Sequence, residues 1–205
     1  MSVSGLFLVL FLLFHMSMNL AAVFSTEAYN AICEFLGANW YALAGTLILA
    51  AGVVVHLVYA TVLTLHNRSS RGSQRYAMTA EPEGVTWASR NMYVLGIIIV
   101  LGLLLHLYNF WYNMQFAEII GNHELGPFPP ADGAAYIAAL FSSPVYCIIY
   151  LVWFAAIWFH LTHGFWSAFH TIGWDNQTWL PRLKRIANVV ATIVFLCFAL
   201  VVIVF

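Results

Sequence analysis

Apolar residues concentrate in five stretches of this chain and thin out between them. The runs cover about Ser4–Phe24, Trp40–Leu65, Asn91–Met114, Pro144–Phe169 and Ile186–Phe205. A helix needs about 20 mostly apolar residues to cross a bilayer, and each run has that length. Successive single spans must alternate in direction. The pattern therefore predicts an all-α protein, an integral membrane bundle of five transmembrane helices in one domain over residues 1–205. The first run lacks a basic start and a small-residue cleavage site, so it reads as a span and not as a cleavable signal.

Two shorter patterns lie between the runs. Ser25-Thr26-Glu27 is a cap, followed by Tyr29, Ile32, Phe35 and Leu36 at helical spacing. After the breaker Gly126-Pro127-Phe128-Pro129-Pro130, the segment from Asp132 to Phe141 places Tyr136, Ile137, Leu140 and Phe141 on one face. Both are expected to be short helices at the membrane surface. The one sizeable polar loop on the inner side spans residues 67–84.

Composition strengthens the membrane reading. The chain is 63% hydrophobic and 7% charged, against about 25% charged residues in a soluble domain. So few charges cannot cover a water-facing surface, and lipid must cover most of the outside. A net charge of −1 gives no reason to expect nucleic acid. Cys33, Cys147 and Cys197 form no CxxC motif and no disulfide framework, and read as small packing residues. Trp40, Tyr41, Trp87, Trp111, Tyr112, Trp174 and Trp179 lie near span ends, as an interfacial aromatic belt does.

The cationic residues set an orientation. Arg68, Arg71, Arg75 and Arg90 lie in or beside the loop between spans two and three, and Arg182, Lys184 and Arg185 lie just before span five. These are every Lys and Arg, and they share one side. That side is expected to be the cytoplasm, which puts the amino terminus inside and the carboxyl terminus outside.

One histidine falls within each of the first four runs: His15, His56, His106 and His160. A polar ring in hydrocarbon is costly without a partner or a task. At about 1.5 Å per residue, His56 and His160 both lie roughly 24 Å from the outer ends of their helices, and His106 lies roughly 22 Å from the inner end of its own. His56 and His160 thus share an inner level, and His15 and His106 a more outer one. Two imidazoles from facing helices can ligate a haem iron from both sides in a bundle core. Gly52 and Gly102, each four residues before a histidine, and Gly164, four after His160, are read as leaving room for a porphyrin edge; His15 has Phe11 and Asn19 instead. A lone membrane histidine is more often a hydrogen-bonded packing or proton-path residue. The rival task for four of them is metal or solute transport, since imidazole also binds zinc, copper and nickel. No carboxylate lies within a run to serve a carrier. His163 is a further ligand candidate or a donor to a propionate, His170 reads as interfacial, and His66 and His123 as solvated.

The words SGLFLVLFLLFHMSMNL around His15, VVVHLVYATVLTLHNR around His56, WASRNMYVLG leading to LLLHLYNFWY around His106, and WFHLTHGFWSAFHTIGW around His160 resemble one family. It is the cytochrome b subunit of succinate:quinone oxidoreductases, in the form with one five-helix subunit and two haems. The resemblance covers nearly the whole chain. It implies that His15, His56, His106 and His160 ligate two haems b, with His56 and His160 on the inner haem and His15 and His106 on the outer. The FHxxxGxWS word selects His160 over His163. It further implies an iron–sulfur subunit docked on the cytoplasmic face, a flavoprotein subunit beyond it, and electron exchange with a membrane quinone, taken as menaquinone, in the cytoplasmic membrane of a bacterium. In relatives a short basic segment precedes the SGLFL word, which here stands three residues from the first. The chain carries no flavin or iron–sulfur motif, so the dehydrogenase chemistry belongs to other subunits. Arg68, Ser89, Arg90 and His163 on the inner side, and Tyr29, Asn30 and Glu34 on the outer, are candidates for propionate or quinone contacts. The alternative within the same class is the cytochrome b subunit of a hydrogenase or formate dehydrogenase.

Overall fold

A computed structural model describes residues 1–70, 86–174 and 176–205. Arg71, Arg75 and most of the polar loop over 67–84 lie outside the described residues. The chain order is α1 (Ser2–Phe24), α2 (Thr26–Ala38), α3 (Trp40–Ser70), the single turn α4 (Trp87–Arg90), α5 (Met92–Ile120), α6 (Gly133–Phe141), α7 (Pro144–Thr171) and α8 (Trp179–Val204). No strand occurs among the described residues. The helices α1, α3, α5, α7 and α8 are each long and apolar enough to cross a membrane. The chain is thus an all-α, multi-pass membrane protein.

Each long helix extends beyond its apolar run. α3 continues past Leu65 to Ser70, and α8 starts at Trp179, seven residues before Ile186. Polar residues carry the helix out of the apolar layer, because α-helical hydrogen bonding does not depend on side-chain polarity. Hydropathy marks the membrane thickness, and the helix runs on into the interface.

The two short helices form where their caps lie, and α6 packs into the core through Ala134, Ile137 and Phe141. Ser25 Oγ accepts from Ala28 N at 3.1 Å and opens α2, and Asp132 accepts from Ala135 N at 3.2 Å and opens α6. α5 closes at Gly121, whose φ of +66° is left-handed and favours glycine. Within α5, residues Leu107–Phe116 are π-helical. Stretches of this kind sit preferentially at functional positions, and this one follows directly on His106.

The core gathers around α8, the one long helix without a histidine. Ala187 and Ala191 are fully buried, and Ala199 nearly so. Such small residues let α8 lie close against α7, as small residues do between membrane helices. Trp158 Nε1 donates to Thr192 Oγ1 at 3.1 Å and ties the two together. α1 packs on both, with Val9 and Ala22 buried. α3 is different. None of its described residues is buried, and it packs mainly on α1, with lesser contacts to α2 and α5.

Two glycines of the long helices sit where aromatic side chains press against the backbone. At Gly52 a Cβ would meet the Phe7 ring, and at Gly102 it would meet the Trp153 indole, whose Nε1 donates to Ile99 O at 3.0 Å. Each allows close approach of that neighbouring aromatic side chain. Gly164 keeps an open side, since a Cβ there would meet only Met92 and His160, at 3.6 and 3.8 Å. Gly102→Ala is expected to force Trp153 off Ile99 and cost about 1–3 kcal/mol, read as a fall in the thermal midpoint in detergent. Gly96→Ala, at a position with open space around it, serves as the control and should leave the midpoint unchanged or raise it.

Candidate functional site: two histidine pairs in the bundle

The four helices that carry a membrane histidine bring those histidines together two by two. The ring centroids of His15 on α1 and His106 on α5 lie 5.7 Å apart at an interplanar angle of 88°. Those of His56 on α3 and His160 on α7 lie 6.4 Å apart at 68°. The second pair sits at the end of the bundle that holds the amino terminus, because Ser4 Oγ lies 3.3 Å from His56 Nδ1. The first pair lies farther along α1, toward α2. His56 and His160 face each other although α3 and α7 share no extended backbone packing, so their side chains bridge two helices that stand apart.

Aromatic residues wall the pair nearer α2. Phe11 stacks on His15 at 5.4 Å, and Phe198 of α8 lies 6.0 Å from the same ring. His106 is surrounded by Phe110, Tyr150 and Trp153 at 5.2, 6.4 and 5.7 Å. Tyr150 is itself held by Asn109, whose Nδ2 lies 3.1 Å from its hydroxyl. A polar stripe follows His106 along the π-helical stretch. Gln115 Oε1 accepts from Thr46 Oγ1 and Trp111 Nε1, both at 2.8 Å, and joins α3 to α5. The sequence signal for this stripe was the appearance of Asn109 and Asn113 inside an apolar run and of Gln115 just past its end.

The buried Nδ1 atoms of His106 and His160 have no hydrogen-bond partner among the described residues. A buried polar atom without one costs about 1–3 kcal/mol, so neither ring is held at Nδ1 as an ordinary hydrogen-bonded packing residue. The donor set also limits what could bind. Two metal–imidazole bonds of about 2 Å, with the ring radii added, set facing centroids about 6 Å apart; the pairs stand at 5.7 and 6.4 Å. No group of three or more His, Cys, Asp or Glu converges as a metal site among the described residues. Two imidazoles per level leave a bare tetrahedral zinc short of ligands. They suit an iron whose other ligands come from a macrocycle. By donor type, number and spacing, the residues fit a bis-imidazole haem at each level.

The other histidines are dispersed. His163 lies one turn beyond His160 and stacks edge-on with Trp166 at 5.0 Å; its buried Nδ1 also lacks a partner. His66, His123 and His170 are exposed, and His123 approaches Glu118 at 3.7 Å. On the same side as His56, Arg68 is exposed in the last turn of α3, and Ser89 Oγ donates to the O of Thr86, the cap residue of α4, which Arg90 ends. On the other side, Asn30 is structural: its Nδ2 donates to Asp132 Oδ1 at 2.8 Å and its Oδ1 accepts from Ala134 N at 2.9 Å, which locks α2 to α6. Glu34 is exposed and lines, with Glu27, Asn30 and Asp132, an open cavity of about 360 Å³. Tyr29 is buried, and its hydroxyl donates to Asn19 Oδ1 at 3.2 Å. Burial first, and then the neighbouring Cys33, pushes its phenol well above the usual tyrosine range.

No known protein family, curated protein or solved structure matches this chain. Fold and site together define a multi-pass helical membrane protein with paired histidines at two levels.

Asn30→Ala is expected to open the α2–α6 junction. Hydrogen exchange at the amides of Ala134 and Ala135 should speed up, with a loss of about 1–3 kcal/mol in stability for the unsatisfied partners. Protection unchanged from the parent protein would argue against this structural role.

Proposed function

We propose that this chain is the haem-bearing membrane anchor subunit of a succinate dehydrogenase or fumarate reductase. In this reading it passes electrons between an iron–sulfur subunit and a membrane quinone, menaquinone, through two bis-imidazole haems b. A flavoprotein subunit completes the complex, which sits in the cytoplasmic membrane of a bacterium with the amino terminus of this chain inside. The observation that carries the reading is the meeting of four membrane histidines as two facing pairs at two levels. The resemblance of the words around those histidines supports the choice of complex. The placement of every Lys and Arg in or next to the segments 67–90 and 182–185 supports the orientation.

A b haem held at each level would supply a one-electron redox centre suited to electron transfer. The chain's own part is to hold and insulate. His15 and His106 would hold one haem through their imidazoles, and His56 and His160 the other. Phe11, Phe198, Phe110 and Trp153 exclude water around the first pair. α8 presses α1 and α7 into register from behind.

The purified complex is expected to contain two haems b per copy of this chain by pyridine haemochrome assay. An iron–sulfur and a flavin subunit should co-purify. Absence of haem from folded protein would overturn the cytochrome reading, and co-purification with hydrogenase or formate dehydrogenase subunits would redirect it.

The pairs predict which variants behave alike. In redox titrations His56→Ala and His160→Ala should remove the same haem component, and His15→Ala and His106→Ala the other. His163→Ala should keep the low-spin signal that His160→Ala abolishes, as electron paramagnetic resonance would record. The opposite result for the last two would transfer the ligand role to His163.

A further inference from the structure

His56 lacks the aromatic surround of His15 and His106. Among the described residues His160 is the one ring that faces it, and α3 buries none of its own side chains. What meets the imidazole from another side is the start of α1. Ser4 Oγ lies 3.3 Å from His56 Nδ1. A Cβ at Gly5 would stand 3.3 Å from His56 Cε1 and 3.7 Å from Nδ1. The Nδ1–Cε1 edge of the ring therefore lies against Gly5, beside the Ser4 hydroxyl.

A second bond fixes the direction of the Ser4 contact. Ser4 Oγ also lies 2.8 Å from Met1 O. A carbonyl oxygen only accepts, so the single hydroxyl proton of Ser4 goes to Met1. Toward His56 the hydroxyl can then offer only a lone pair, and Nδ1 must be the donor. A neutral imidazole carries one N–H and one lone pair, so a proton on Nδ1 leaves the lone pair on Nε2. In metal-binding histidines the hydrogen bond of one ring nitrogen sets which nitrogen is metallated. An acceptor at the N–H also makes the other nitrogen a more basic ligand.

We propose that Ser4 and Gly5 are positioning residues for His56: the serine hydroxyl accepts from Nδ1 and leaves Nε2 to ligate iron, and the glycine lets α1 lie against the ring edge. The proposal rests on the haem reading above and extends it to two residues outside the ligand set. It is particular to one pair. At His106 and His160 the buried Nδ1 has no partner among the described residues. A more basic imidazole favours the oxidised metal. Losing the acceptor should therefore raise the potential of the haem shared by His56 and His160 and leave the other haem alone.

The test uses the intact complex. Ser4→Ala removes the hydroxyl, Ser4→Thr keeps it, and Gly5→Ala presses a methyl group on the ring edge. Ser17→Ala is the control, because Ser17 Oγ also donates to a carbonyl one turn back on α1, Leu13 O at 2.9 Å. Three readouts apply to each haem: its midpoint potential, its low-spin electron paramagnetic resonance signal, and the rate of its loss to an apomyoglobin acceptor. Loss of an outer partner of a metal-binding histidine weakens binding by about 10–100-fold, and a neutral hydroxyl belongs at the lower end. Ser4→Ala should raise the potential of the haem that His56→Ala removes and speed its loss by about tenfold. Gly5→Ala should displace the ring and shift the low-spin signal of the same haem. Ser4→Thr should stay close to the parent, and Ser17→Ala should match it. Parental potential, signal and rate in Ser4→Ala would overturn the proposal. So would equal changes in both haems, or a Ser17→Ala variant that reproduces the Ser4→Ala shift. A parent complex with no haem b would overturn the underlying reading instead.

Discussion

Hydrocarbon offers no hydrogen-bond partner, so each polar atom of this chain between the two membrane faces has to find one within the protein. The backbone meets that demand by staying helical for the whole thickness in all five crossings. The side chains meet it locally. Trp153 and Asn19 donate to carbonyls, Trp158 to a threonine, and Gln115 collects donors from two helices. Among the described residues the orphaned buried side-chain atoms all belong to histidines, namely the Nδ1 atoms of His106, His160 and His163. Where the general rule is kept so consistently, its exceptions mark the place where something other than packing is at work.

The crossings were legible because their signal is long and one-dimensional: twenty apolar residues in a row need no partner to be recognised. Both short helices were legible from their caps, Ser25 and Asp132, which act over three residues. Helix ends were less so. α8 starts at Trp179 rather than Ile186 because interfacial residues continue a helix without adding hydropathy. The π-helical stretch of α5 had no signature, since it differs from an α-helix only in hydrogen-bond register.

The pairing of the histidines was legible from which helices carry one and at what depth, since rise per residue brings them to two levels. Its supports were not. Gly52 and Gly102 have the spacing expected beside a large ligand, yet aromatic side chains from other helices fill the space they leave. Sequence spacing gives the face of a helix and says nothing of what approaches it. Asn30, a candidate for a quinone contact by its sequence position, bonds in the structure to Asp132 and Ala134 at the start of α6. Asn19 stood out only as a departure from the glycine pattern, and in the structure it bonds to His15 O and to Tyr29, ten residues away on another helix.

The change of helical register within α5 has a consequence for how the protein can vary. His106 is the last residue before the π-helical turns, and Gln115 lies near their end. Successive residues of an α-helix are about 100° apart, so a single inserted or deleted residue in a uniform helix would swing everything beyond it to a new face. A stretch of wider turns can absorb or release one residue and leave the segment before it undisturbed. The part of α5 that presents the histidine and the part that meets α2, α3 and α6 can therefore be tuned separately, which gives one continuous rod two independent phases.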